Sequence, residues 1–426
     1  MTDRGIIYFW VARMVMMGEW ILGREPFSDV YIHGTILDRQ GRKMSKSLKN
    51  GIDPLSLIEG GTDENTGVNY ARPYGADAVR FSLATLSTEG QDLKLWPERF
   101  DDGQRFVNKL WNAGRFALAQ LAEPAAGPTV DLACASRDLG FEDAWILSRL
   151  NAAIAETTAA LESFRYCDAA QRVRDFAWTE FCDWYIELVK FRSKAGGADA
   201  AACQRVLAYV FDATLRLLHP VCPFITEELW HNLARCPVDR ALRQGDPAPS
   251  ESVIVASWPE TDGSRRNAVV EEEFAWLQQI IQCVRKIRQE RNLAASKSRR
   301  AVVITQDAAL ADRLRPHAPL VKNLAGLEEL EVASGIARPA NAAVEVLSRL
   351  EVAIPLEAAQ PEEEGKAIES QRKKRDELRS YVQREEKKLQ NQDFLARAPA
   401  AVVEATAKRV DEAKLQLQAI EELLGE

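Results

Sequence analysis

The feature that most constrains the fold is a series of amphipathic segments between Trp96 and Asn292, in which apolar residues recur with the helical period. Connectors that contain proline or glycine, such as residues 123–128, separate these segments. Long amphipathic helices with short connections bury their apolar faces against one another, so the pattern predicts an all-α bundle over residues 96–262. Its inward positions include Val107, Leu110, Trp145, Leu150, Val173, Phe181, Val206 and Val210.

One of these helices is rich in aromatic residues between Phe176 and Phe191. Aromatic side chains can stack on the bases of nucleic acids. Here they fall at helical spacing, which is typical of core packing. We therefore predict that this segment lies in the core of the bundle.

In residues 361–426, apolar residues recur with heptad spacing. They form two seams, and Phe394 to Pro399 interrupts the pattern between them. Two heptad seams joined by a turn predict an antiparallel coiled coil. The seam positions are Leu378, Val382, Leu389, Val403, Val410, Leu417 and Leu424. The first helix is basic and holds Arg372, Lys373, Lys374, Arg375, Arg379, Arg384, Lys387 and Lys388.

Residues 263–360 lie between these two regions. Their pattern of apolar residues predicts a small α+β unit. A helix is expected from Glu271 to Asn292, and short strands are expected near residues 301–304, 327–332 and 344–355. The end of the helix has a basic face, which is compatible equally with an RNA-backbone contact and with a solvated surface. Its basic residues are Arg285, Lys286, Arg288 and Arg291, continuing through Lys297, Arg299 and Arg300.

The first hundred residues pose a structural problem. The apolar segment Ile6 to Leu22 predicts a helix that requires burial on more than one side; it is short for a membrane span and contains Arg13 and Glu19. Residues 27–38 predict a single strand, and no other segment nearby supplies a matching one. Because an apolar parallel strand needs neighbours on both edges, we expect the chain to begin inside a larger domain.

Charge and cysteine usage exclude several classes of protein. The net charge is −8, so any contact with nucleic acid must use a local basic patch. The seven cysteines are scattered and form no Cys-x-x-Cys pair, and only four histidines are present. We therefore expect reduced thiols, a cytoplasmic protein, no disulfide framework and no tightly bound metal.

A short basic loop follows the expected strand and carries the chemistry. It reads Lys43-Met44-Ser45-Lys46-Ser47 and is flanked by Gly41 and Gly51. Two lysines three residues apart, alternating with hydroxyl donors, are suited to a polyphosphate. An isolated basic turn is more often solvated, but the preceding strand and the five-residue pattern favour phosphate binding here.

This loop resembles the KMSKS signature of class I aminoacyl-tRNA synthetases. The segments Trp10-Val11-Ala12-Arg13-Met14, His33-Gly34 and Asp53-Pro54-Leu55 are similar to the second half of the valyl catalytic core. The resemblance implies that residues 1–95 are the C-terminal part of a Rossmann-type domain. It further implies that the HIGH half and the inserted editing domain are lacking.

The resemblance also implies site residues and partners. The family activates valine with ATP, as its Mg²⁺ complex, and then esterifies tRNA-Val. Lys43 and Lys46 are expected to face the pyrophosphate as catalytic residues, and Trp10 to wall the amino-acid pocket. The expected ATP contacts are Lys43, Met44, Ser45, Lys46, Ser47, His33 and Gly34.

A C-terminal coiled-coil arm with a turn like Phe394 to Pro399 is similar to the tRNA-binding arm of the valyl family, and residues 96–262 resemble its anticodon-binding bundle. The expected tRNA contacts on the arm are Arg372, Lys373, Arg375, Arg379 and Lys387. We expect the chain alone to be inactive unless a separate N-terminal half completes it. A non-catalytic tRNA-binding module and a coiled-coil interaction protein remain as alternatives.

One position departs from the family pattern. Lys49 stands where the family usually has glycine, just before Asn50. Because glycine reaches positive φ freely, we expect a side chain here to strain or stiffen the loop.

Overall fold

The computed structural model describes residues 1–88, 90–123, 125, 139–238, 250–291, 300–356, 361–390 and 400–424. The chain divides into two compact units, residues 1–271 and residues 272–426. The first unit holds the basic loop and the helical bundle. The second holds a small sheet and a pair of long helices.

The chain begins with an exposed apolar helix, α1 (Arg4–Leu22), of 19 residues. By length and composition this helix could cross a membrane, so the expectation that it is too short for a span is not supported. The expected burial is not found, since Tyr8 is 85% exposed and Trp20 is 88% exposed. Among the described residues nothing covers this face.

The expected single strand over residues 27–38 is two short ones, and the expectation that no nearby segment matches it is wrong. β1 (Thr2–Asp3) pairs in parallel with β2 (Ile32–His33). β3 (Ile36–Leu37) pairs in parallel with Leu93–Lys94. Each partner is two residues long, too short for a periodicity to reveal.

Residues 51–95 form a small, well-packed body beside the basic loop. α2 (Pro54–Glu59) begins at Asp53, whose carboxylate accepts hydrogen bonds from the N–H groups of Leu55 and Ser56. The segment after it contains a hairpin of two short antiparallel strands, β4 (Gly61–Thr62) and β5 (Asn69–Tyr70). α3 (Ala76–Leu86) and β6 (Leu93–Lys94) complete this body.

The predicted helical bundle is present. Phe176, Phe181 and Tyr185 are fully buried, so the prediction that this aromatic segment packs in the core is confirmed for these residues, whereas Phe191 at its end is 44% exposed. Phe181 also stacks on Phe211, with ring centroids 5.8 Å apart. The helices are α4 (Asp101–Leu121), α5 (Phe141–Glu162), α6 (Tyr166–Asp175), a π-helical segment (Phe176–Tyr185), α7 (Ile186–Arg192), α8 (Gly197–Leu218) and α9 (Pro223–Ala234).

A charged pair lies inside this bundle. The carboxylate of Asp143 is fully buried and lies 2.7 Å from the guanidinium of Arg192. Tyr185 donates its hydroxyl hydrogen to the same carboxylate at 2.9 Å. Burial raises the pKa of Asp143, while Arg192 and Tyr185 act in the opposite direction. The pair joins the start of α5 to the end of α7.

The second unit contains a four-stranded sheet of β7 (Arg300–Thr305), β8 (Glu329–Ser334), β9 (Ala342–Val346) and β10 (Leu350–Pro355), in the spatial order β8-β7-β10-β9. β7 pairs in parallel with β8, and β10 pairs antiparallel with β7 and with β9. The expected strand region near residues 344–355 is thus a hairpin of two strands. The helices are α10 (Ala268–Glu290), α11 (Ala308–Leu314) and α12 (Ala318–Ala325).

Two long helices end the chain, α13 (Pro361–Gln390) and α14 (Ala400–Leu424). They run antiparallel, because Arg379 pairs with Glu421 and Glu386 pairs with Lys414. Their contact is apolar and includes the predicted seam residues Val382 and Val410, with Ala413 and the partly buried Leu378, Tyr381 and Leu389. The predicted turn at Phe394 to Pro399 lies outside the described residues.

Candidate nucleotide site and nucleic-acid interface

The basic loop is a tight excursion from the end of β3. Lys43 forms an antiparallel bridge with Leu37, and the N–H of Asp38 donates to the carbonyl of Arg42 at 2.8 Å. This backbone pairing places Lys43 to Ser47 at the surface. The ammonium groups of Lys43 and Lys46 are exposed, and neither forms an ion pair with a carboxylate in the part of the chain that the structure describes.

The two serines of the loop interact with the loop itself. The hydroxyl oxygens of Ser45 and Ser47 lie 3.3 Å apart, and the N–H of Leu48 donates to the Ser45 hydroxyl at 3.3 Å. These contacts turn the chain back after Lys46. They are compatible with the expectation that the serines hold the shape of the loop.

Lys49 has a left-handed backbone, with φ of 50°. A residue with a side chain is destabilised by roughly 1–2 kcal/mol in this backbone conformation. Glycine avoids this strain but loses more conformational entropy on folding, so the net gain from a glycine is smaller. We expect Lys49→Gly to raise the free energy of unfolding by about 0.5–1 kcal/mol in urea titrations. Lys49→Ala removes the same charge but keeps the strain, so an equal gain from both variants would contradict the backbone explanation.

A cleft of 450 Å³ opens beside the loop. Of the expected ATP contacts, His33, Gly34, Lys43 and Met44 line it, whereas Ser45, Lys46 and Ser47 do not. A side chain at Gly34 would place its Cβ only 1.7 Å from the carbonyl oxygen of Gln91, so only glycine fits there. The floor is apolar and is formed by Ile52, Leu57, Val79, Leu83, Leu95 and Phe100.

Two polar side chains of this cleft, Asp3 and Thr35, were not indicated by the sequence. The Asp3 carboxylate accepts a hydrogen bond from the Thr35 hydroxyl at 2.7 Å, and this bond is the first cause of the lowered pKa of Asp3. Lys43 is a smaller contributor to the same shift. No motif surrounds Asp3, so the sequence carried no signal for it.

Trp10 is not brought to this cleft. It lies on α1, is 59% exposed and is absent from the lining of the cleft. Its expected place in an amino-acid pocket stays a prediction. Nor does the structure, in the ranges that it describes, bring together three His, Cys, Asp or Glu side chains that could hold a metal ion.

The basic residues expected to bind tRNA on α13 differ in availability. Arg375 pairs with Asp376 at 2.6 Å and is only 14% exposed, and Arg379 pairs with Glu421 at 2.5 Å. Lys387 is exposed and has no carboxylate partner within the described ranges.

Arg372 and Lys373 are exposed at one side of α13, where they line an open groove of 680 Å³. Tyr381 and Arg384 line the same groove, and the Arg384 guanidinium lies 5.6 Å from the centre of the Tyr381 ring. Tyr381 is partly buried against the apolar contact of the two helices and also borders the groove.

The basic face at the end of α10 is used within the second unit. Arg285 donates to the carbonyl of Leu324, and Arg288 donates to the carbonyl of Gly326, both at 3.1 Å. These cations therefore lie at the C-terminal end of α12, where a helix favours positive charge. Arg285 and Arg288 thus bond within the protein, which neither expectation, an RNA-backbone contact or a solvated surface, had included. Lys297 and Arg299 lie outside the described residues.

Three family models match the chain in succession. The model described as tRNA synthetases class I (I, L, M and V) matches residues 1–96. The anticodon-binding domain of tRNA ligase matches residues 143–304. The valyl tRNA synthetase tRNA binding arm matches residues 366–426.

Curated relatives match nearly the whole chain. Valine--tRNA ligase from Thermotoga maritima is 37% identical over 99% of this chain and 44% of its own length. The proteins of the same name from Geobacter sulfurreducens and Geobacillus kaustophilus are 41% and 38% identical, over 43% and 45% of their own lengths. The chain thus spans less than half the length of these relatives. A solved LeuRS–tRNA–LeuAMS complex from Agrobacterium radiobacter K84 aligns with 60% of this chain and 27% of its own, with a TM-score of 0.41 and 21% identity.

Proposed function

This chain belongs with the C-terminal part of the valine–tRNA ligases, which are class I aminoacyl-tRNA synthetases, and on that premise we propose that the protein attaches valine to tRNA-Val in an ATP-dependent reaction. Valine is first activated as valyl-adenylate, with release of pyrophosphate. The 3′ end of the tRNA then takes the valyl group. We place this reaction in the cytoplasm.

Two lysines without carboxylate partners, beside a cleft with an apolar floor, carry the assignment of the ATP site. Neither lysine forms an ion pair in the described part of the chain, although the Asp3 carboxylate is near enough to Lys43 to interact with its charge. Both ammonium groups are exposed and can meet the phosphates of ATP, bound as its magnesium complex. Negative charge moves onto the pyrophosphate as it leaves, and preorganised cations stabilise that charge. The apolar floor under His33 and Gly34 suits the adenosine part of the nucleotide.

The amino-acid pocket is assigned to the same half of the domain by family similarity, with Trp10 as one wall. An apolar pocket of this kind discriminates by only about 1–3 kcal/mol for each methylene group. Selection of valine therefore needs further contacts or editing beyond Trp10.

The rest of the class I catalytic domain is the partner that we propose for the first unit. α1 exposes large apolar side chains, and the parallel pairs β1–β2 and β3–β6 are only two strands wide. Parallel strands of this kind are stable when further strands and covering helices surround them. An N-terminal half supplies these elements, and α1 then packs on protein rather than on a membrane.

We assign tRNA binding to the helical pair α13 and α14, as an antiparallel coiled-coil arm, together with the bundle. Replacing Arg372, Lys373 and Lys387 together with alanine should lower the affinity of the 426-residue chain for tRNA-Val by at least tenfold at moderate salt. The slope of log affinity against log salt should fall by about 2 in magnitude, because three phosphate contacts are lost. Fluorescence anisotropy with labelled tRNA measures both quantities.

A matched control removes three cations from α14, at Lys408, Arg409 and Lys414. We expect this variant to keep most of the affinity, because the proposed contacts lie on α13. Equal losses in the two triple variants would show a general charge effect. Unchanged affinity after removal of residues 366–426 would contradict tRNA binding by the arm and favour a protein-interaction role for it.

A further inference from the structure

Asp38 is a nearly buried carboxylate at the start of the basic loop, with 7% of its surface exposed. One oxygen accepts hydrogen bonds from the N–H groups of Gln40 and Arg42, at 3.0 and 2.9 Å. The other oxygen accepts from Nε of Arg42 at 2.8 Å and from Nδ2 of Asn50 at 2.9 Å. Asp38 therefore joins the two ends of the loop, residues 38 and 50.

Asn50 extends this connection into the loop itself. Its Nδ2 also donates to the carbonyl of Lys43 at 3.3 Å, and its Oδ1 accepts from the N–H of Ser45 at 2.9 Å. One side chain thus holds the backbone immediately before Met44 and immediately after it. Lys46 follows directly.

The local backbone at Lys49 is not one that its own residue type favours. The strained residue Lys49 directly precedes Asn50, and its left-handed backbone turns the chain so that the Asn50 amide points back into the loop. A non-glycine residue keeps a positive φ only where several surrounding contacts hold it in that conformation. Hydrogen bonds from Asn50, the largest cause, and from Arg42 together lower the pKa of Asp38 to about 2, so the carboxylate is ionised at neutral pH.

We propose that Asp38 and Asn50 form a latch that positions Lys43 and Lys46 for the transfer reaction, a role that rests on the proposed function. The latch touches the backbone that carries the lysines and not the phosphates, so both are positioning residues. Its removal should leave the lysine charges in place while widening the range of positions that they occupy. A displacement of about 1 Å at a reacting group can cost a hundredfold in rate.

The test uses Asn50→Asp, which removes both donated hydrogen bonds and places a second carboxylate against Asp38. In the protein that carries this chain with a complete class I catalytic domain, we expect kcat for valine-dependent ATP–pyrophosphate exchange to fall about 10- to 100-fold. The KM for valine should stay within twofold. In the 426-residue chain, the Ser45 amide should exchange with deuterium at least tenfold faster.

The matched control is Gln40→Glu, which adds the same charge to the same turn and keeps the latch. The double variant Asp38→Asn with Asn50→Asp restores one hydrogen bond between the two side chains. Its kcat should be at least threefold higher than that of Asn50→Asp alone. A merely structural role would lower the free energy of unfolding without this recovery and without a change in kcat for the folded fraction.

Two results would overturn the latch. A wild-type kcat in Asn50→Asp, in an enzyme that Lys46→Ala inactivates, would refute the latch and keep the proposed function. An equal loss in Gln40→Glu would assign the effect to charge alone. Full activity in Lys46→Ala would instead refute the proposed function, and the catalytic role of the latch with it.

Discussion

Lys46→Ala should slow valine-dependent ATP–pyrophosphate exchange by about 100- to 1,000-fold, equivalent to roughly 3–4 kcal/mol of lost transition-state stabilisation. The ammonium group is exposed and, within the described ranges, meets no carboxylate. Under the proposed function, its charge is available to the leaving pyrophosphate and is not engaged by a described protein carboxylate. Most of the loss should be in kcat, because the charge on the leaving group grows in the transition state.

The measurement requires the protein that carries these residues together with a complete class I catalytic domain. Lys49→Ala is the matched control, since it removes an identical charge three residues further along the same loop. We expect this control to retain exchange within about threefold, as a screened surface charge contributes little. Comparable losses in both variants would show that the loop acts through its total charge, and no loss in Lys46→Ala would exclude the assigned role.

Arg192→Met should lower the free energy of unfolding of the bundle by about 3–5 kcal/mol, because it leaves the buried carboxylate of Asp143 without its cation. Asp143 has no exposed surface, and the Arg192 side chain is only 12% exposed. Urea unfolding followed by tryptophan fluorescence measures the change. The double variant with Asp143→Asn should recover most of it, since Tyr185 keeps an oxygen to which it can donate.

Arg105→Met provides the control on the surface, where the pair with Asp102 is exposed. It should change the free energy of unfolding by less than about 0.5 kcal/mol. Equal effects at the two arginines would show that burial of the Asp143 pair is irrelevant.

The Arg192→Met variant should also depend on pH in a defined direction. Burial already raises the pKa of Asp143 in the folded protein, and loss of Arg192 raises it further. A carboxyl whose pKa is higher folded than unfolded stabilises the fold when it is protonated, and this stabilisation disappears as pH rises through the folded pKa. The deficit of the variant should therefore grow with rising pH and shrink on acidification.

The helices were predictable from the sequence because their signal is repeated along each segment. The helix expected from Glu271 to Asn292, for example, is Ala268–Glu290. Many residues at the same period report one buried face, so a single exception does not hide the pattern. Two-residue strands such as Ile36–Leu37 offer no period to detect.

The candidate nucleotide site was only partly predictable. His33, Gly34 and Lys43 were expected together and line one cleft, but Asp3 was missed and Trp10 lies elsewhere. A motif identifies residues that are close along the chain. Residues such as Asp3, which are distant along the chain and become neighbours only in the fold, belong to no motif.

The sequence by itself determined the helical bundle, the heptad seam and the loop of Lys43 to Ser47, because each depends on residues that are near one another in the chain. The family resemblance marked Lys49 as a position where a side chain would strain the loop, and the structure gives it a left-handed backbone. Only the tertiary structure decided which charges are available to a ligand. Arg379 is paired through Glu421, 42 residues away, whereas Lys387 has no carboxylate partner among the described residues. The strength of an ion pair depends on distance in space and on burial, and neither can be read from spacing along the chain.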